Sequence, residues 1–120
     1  MKTMTMFAST MLVLGVAGMA HAASMFAGPL FPNGASDSCS CDAVNVSGSP
    51  KTIEIQVLDK AGASLNTSGM IAIPAGGARS VSSGTAGLQY CKFVNASATN
   101  FRAAITCRFD GTEVVAMPAR

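Results

Sequence analysis

The chain has 120 residues, 49% of them hydrophobic, 12% charged and 6% aromatic, with a formal net charge of +2. That length supports one modest domain after any leader is removed. Near-balanced charge, scattered basic residues and few aromatics exclude the electrostatic footprint of a nucleic-acid binder.

Residues 1–22 read as a secretory signal peptide. Lys2 supplies the positive end, an apolar run extends from about Met6 to Met19, and Ala20-His21-Ala22 is a small-residue cleavage site. The apolar run falls short of the roughly 20 residues that span a bilayer, and no later segment comes closer. No transmembrane segment is expected, and no cysteine at the cleavage site offers a lipid attachment. Cleavage near Ala22 leaves 98 residues without the one histidine, His21, and with seven Lys and Arg against six Asp and Glu, a net charge of +1.

Residues 23–38 mix Pro and Gly with isolated large apolar groups and show no period, so they read as a flexible N-terminal arm. A sharper reading lets Phe26, Leu30 and Phe31 cover a sheet edge or dock on a partner.

From Cys39 onward, over 39–120, turn residues interrupt short β-like runs about every 8 to 12 positions, the spacing of an all-β sandwich or barrel. The runs are Cys39 to Val46, Lys51 to Asp59, Met70 to Ile73, Ala78 to Ser82, Leu88 to Val94, Phe101 to Phe109 and Thr112 to Met117. Lys51 to Asp59 alternates best, with Ile53, Ile55 and Val57 on one face and Thr52, Glu54 and Gln56 on the other. Leu88 to Val94 and Phe101 to Phe109 also alternate, and they read as a hairpin turning on Ala98-Thr99-Asn100. In that register Cys91 opposes Cys107 and Phe93 opposes Ile105 on the core face. The expectation is a single antiparallel β-sandwich of about seven strands with Asp110-Gly111 as its last turn.

Four cysteines in an exported chain are expected to pair. Cys39 and Cys41 share a face of their strand and can meet the last strands from a neighbour, which leaves all three pairings with Cys91 and Cys107 open. Bridges closing long loops restrict the unfolded chain most. A C-x-C pair can also exchange disulfides, but it needs a helix N-terminus or a cation to lower its pKa, and Asp42 beside Cys41 acts the other way. Zinc is disfavoured, because compact sites space their ligands by about two to four residues.

Without histidine, acid–base or nucleophilic catalysis falls to carboxylates and lysines. Asp110 and Glu113 flank a turn, while Glu54 and Asp59 are outward or terminal in a strand. No catalytic, cofactor-binding or metal residue is expected, and no cofactor. Asn45-Val46-Ser47, Asn66-Thr67-Ser68 and Asn95-Ala96-Ser97 match the N-glycosylation pattern, which Ser- and Thr-rich sequence also produces by chance. Arg102, Thr106 and Arg108 form an outward basic and polar strip, with Lys92 across the expected hairpin, read as a solvated face before an acidic-partner or glycan site.

A cysteine-led strand running into Asn45-Val46-Ser47 and Pro50, an Ile-x-Ile-x-Val strand ending Asp59-x-x-Gly62, Pro74-Ala75-Gly76-Gly77 after a strand, and Tyr90-Cys91-Lys92-Phe93 resemble small secreted immunoglobulin-like β-sandwich proteins of bacteria. The resemblance covers about residues 39 to 117 and implies that fold, in a group mostly without assigned function. It favours Cys41 with Cys91 and Cys39 with Cys107, while the opposed Cys91 and Cys107 keep a hairpin bridge open. The resulting expectation is an exported, disulfide-stapled, non-enzymatic protein with a binding or structural role in the periplasm or envelope, its partner another envelope protein or a glycan. The alternatives are a thiol–disulfide protein using Cys39 and Cys41, and a small hydrolase or inhibitor with its site on the loops at 62–69 or 83–87.

Overall fold

Alternation along Lys51–Asp59 does what the pattern asks: Ile53, Ile55 and Val57 are buried and Thr52, Glu54 and Gln56 are not. The same period builds eight strands in the computed structural model, which describes residues 23–32, 37–109 and 113–120. They are β1 (Ser24–Leu30), β2 (Ser38–Asn45), β3 (Lys51–Asp59), β4 (Ser64–Ile73), β5 (Ala78–Ser83), β6 (Gln89–Val94), β7 (Phe101–Phe109) and β8 (Glu113–Pro118). The signal-peptide segment and the Asp110-Gly111 turn lie outside the described residues.

The strands form two antiparallel sheets of four, in the orders β1-β6-β3-β4 and β5-β2-β7-β8. Each sheet has one apolar face, and the two faces meet. Met25, Ile53, Ile55, Val57, Ile73, Cys91 and Phe93 come from the first; Cys39, Cys41, Ala43, Val81, Phe101, Ile105 and Cys107 come from the second.

Two expectations are corrected here. Residues 24–30 were expected to hold no element, yet they form β1, an edge strand paired with β6 from Ser24↔Val94 to Leu30↔Gln89. Its inward residues, Met25 and Ala27, are small in number and interrupted by Gly28-Pro29, so no period shows. Gly28 is required there: its φ is +103°, and a Cβ would lie 3.2 Å from Tyr90 Cβ and 3.3 Å from Gln89 O. This is where the register with β6 shifts.

The second correction concerns the hairpin. β6 and β7 do not pair. β6 lies between β1 and β3, with Cys91 opposite Ala27 and Val57 and Phe93 opposite Met25 and Ile55. β7 lies between β2 and β8 in the other sheet, with Cys107 opposite Cys39 and Ile105 opposite Cys41. The connection crosses between the sheets. Asn95 takes φ 64°, its side-chain amide donates to Thr52 O at 2.8 Å, and Ala96 is buried. Phe93 and Ile105 are both core residues, but they enter the core from opposite sheets. The place beside β6 that the expected hairpin partner would fill is taken by β1.

Asn45 ties one end of the sandwich together. Its buried side chain donates to Ser49 O and Ile73 O at 2.9 Å and accepts from Ser47 N at 2.9 Å and Ser47 Oγ at 2.6 Å. Its backbone bonds to Gly76 and Gly77, and Val46 N donates to Asn100 O. Two connections, 46–50 and 74–77, therefore converge on Asn45, and 95–100 joins them at its neighbour Val46. Asn45→Ala is expected to cost roughly 2 to 3 kcal/mol, since it strands the Ile73 carbonyl in a dry site. A urea melt within error of wild type is the contrary result.

Candidate functional site

The four cysteines form two bridges, and no cysteine is free. Cys39–Cys107 joins opposed residues of neighbouring strands, with a Cα–Cα distance of 4.0 Å. Cys41–Cys91 joins the two sheets through the core at 5.6 Å. All four residues are at most 1% exposed. The C-x-C pair is thus divided between two partners, each sulfur held where a thiolate has no approach. Two bridges fit an oxidising compartment. Cys41→Ser is expected to lower stability by roughly 2 to 4 kcal/mol, because the bridge closes a long loop of the unfolded chain. An unchanged melting temperature under oxidising conditions is the result that contradicts this.

The carboxylates are engaged in local structure. Glu54 accepts from the Gln56 side-chain amide. Asp59 Oδ1 accepts from Ala61 N at 2.8 Å and Ala63 N at 2.9 Å, holding the β3–β4 turn, in which Gly62 takes φ 80°. Asp42 accepts from Ser40 Oγ at 3.0 Å and Ser80 Oγ at 2.5 Å. Asp110 and the Glu113 side chain lie outside the described residues. Among the described residues no group of three or more His, Cys, Asp or Glu is placed to hold a metal ion.

The outward strip is divided differently from the expected one. Arg102, Thr106 and Arg108 lie on the outer face of the second sheet beside β2, and Arg102 donates to Phe101 O at 3.1 Å and also to Ala98 O. Lys92 sits in the other sheet, with Nζ 5.9 Å from the centre of the exposed Phe26 ring. It does not join the strip. The asparagine triplets also separate: Asn45 is buried as described, Asn66 is exposed and donates to Ser82 O at 2.9 Å, and Asn95 is exposed at its corner.

The end of the sandwich opposite Asn45 carries the candidate binding site. Phe31, Asp59, Lys60, Leu65, Thr85, Ala86, Gly87 and Leu88 line an open cleft of about 480 Å³, a size suited to a small ligand. It draws on both loops named in the sequence, although residues 64–69 belong to β4 and only 60–63 turn. Asp59 shapes the turn, Lys60 is an exposed cation, and Phe31, Leu65 and Leu88 make apolar walls. Gly87 N donates to Pro32 O at 2.8 Å, fixing the segment before β6 against the segment after β1. Behind the lining, buried Gln89 donates to Thr85 O, and its Oε1 has no hydrogen-bond partner among the described residues. Sequence reasoning missed the convergence because these residues are spread from 31 to 88. The one available signal was Phe31, a large apolar group in a stretch with no period to bury it.

Comparison of the chain with protein-family models, curated proteins and solved structures gives no match. Among the described residues no helix is long and apolar enough to cross a membrane.

Proposed function

We propose that this chain is an exported, non-enzymatic β-sandwich that acts by binding in the periplasm or cell envelope, with the cleft at its Phe31–Leu88 end as the ligand site. The observation that carries this reading is the cleft itself: apolar walls, one exposed cation, and carboxylate chemistry already committed to a turn. Such a lining suits retention of an apolar group with one acceptor end rather than proton transfer. Export follows from the signal-like residues 1–22 and is supported by the two bridges. The partner is a component of the envelope, protein or glycan.

Nile red, a neutral apolar dye, tests the site on the exported, oxidised protein. One saturable site per folded chain, lost in a cooperatively melting Leu88→Asp variant, is expected. No binding to the folded protein, or binding unchanged in that variant, overturns the assignment of the cleft. The intact mass of the exported chain, expected to begin at Ala23, tests the leader.

A further inference from the structure

The outer face of the second sheet holds a different kind of hollow. Strand register sets Ser82, Ser40 and Thr106 side by side across β5, β2 and β7, and the next rank sets Ser38 opposite Arg108. Residues two apart share a face, so these side chains stand outward while Cys39, Cys41 and Cys107 stand inward. With Cys39 they line a depression of about 180 Å³. It shares no residue with the cleft, so the two sites can fail independently.

Hydrogen-bond chemistry gives the hollow a sign. A guanidinium has five N–H donors and no acceptor, and each hydroxyl adds one donor. Ser40 spends its hydrogen on Asp42. The side chains of Ser38, Ser82, Thr106 and Arg108 make no hydrogen bond to another described residue. Asp42, one rank further along β2, is occupied by Ser40 and Ser80. The lining thus offers several uncommitted donors and one positive charge, on short side chains around one long one. Its complement is a group that only accepts and is negatively charged.

We propose that this hollow binds the oxyanion of a larger ligand, a carboxylate, sulfate or phosphate ester, with Arg108 engaging two oxygens and Thr106, Ser82 and Ser38 donating to the others. Guanidinium pairs with such groups through two parallel hydrogen bonds. At about 180 Å³ the hollow has room for the charged group and the atoms beside it, and the rest of a larger ligand lies across the sheet face.

Nitrogen-15 NMR of the exported, oxidised protein, titrated with sodium sulfate, sodium phosphate and sodium glucuronate at ionic strength held constant with chloride, tests this. Saturable shifts of the Arg108 Nε–H and of the Ser40, Ser82 and Thr106 amides are expected with at least one probe, and the tightest probe identifies the source of the oxyanion. Arg108→Gln should weaken that binding about tenfold or more, because it removes charge-assisted bonds. Thr106→Val, which keeps the side chain's shape, should weaken it less, and Arg79→Gln should leave it unchanged. Amide spectra of each variant report that it is folded. Absence of saturable shifts with all three probes, or shifts that persist undiminished in Arg108→Gln, overturns the proposal.

Discussion

Ile55→Asp is expected to abolish cooperative folding. Ile55 is fully buried, lies opposite Phe93 in the register, and shares its face with Ile53 and Val57 at the middle of the first sheet. A carboxylate there has no cation within the core residues around it, and an isolated buried charge costs several kcal/mol or must stay protonated at a comparable penalty. A domain of this size holds roughly 5 to 15 kcal/mol in total. The bridges would keep the chain compact without restoring packing. Far-UV circular dichroism and urea melts check it: a soluble variant that melts cooperatively would show that β3 turns its other face inward.

Phe93→Ala is expected to cost roughly 3 to 5 kcal/mol, the range for deleting a large aromatic ring from a packed core. Phe93 is among the largest fully buried side chains and sits between Met25 and Ile55 with the second sheet facing it. Neighbouring β-sheet backbone is fixed by two ladders, so the cavity cannot collapse easily. Arg108→Ala, on the exposed outer face, should change stability by under about 0.5 kcal/mol. Paired urea melts decide it, and comparable losses for the two variants would reverse the inside and outside of β6 or β7.

The difference between these two substitutions was legible in the sequence, and the pairing of their strands was not. Alternation reports which side chains point inward, because its period is that of the strand itself. It does not report whether two inward faces lie side by side in one sheet or across from each other in two. Cys91, Phe93, Ile105 and Cys107 satisfy both arrangements. The chain chose the second because Asn95–Asn100 is long enough to cross between sheets and Ala96 is small enough to be buried in the corner. β1 was illegible for another reason: only Met25 and Ala27 mark its inward face before Gly28-Pro29 breaks the pattern. The cleft depends on both facts, since Phe31 reaches it only when β1 is a strand and Leu88 only when β6 starts where it does.

The Cys39–Cys107 bridge divides the chain into an inside and an outside. β3 to β6 and most of β2 and β7 lie within the covalent ring it closes, and Cys41–Cys91 adds a second link inside that ring. β1 and β8 lie beyond it, one before Cys39 and one after Cys107, each an edge strand of a different sheet. They meet at one point, where Phe26 N donates to Arg120 O and Arg120 N to Phe26 O, both at 3.0 Å. β1 and the segment after β8 thus close one flank of the sandwich without any covalent link. Neither strand is held by a bridge, and separation of the pair would bare the ladder edges of β6 and β7 together. Two strands far apart in sequence thereby guard each other against edge-to-edge association with a second molecule.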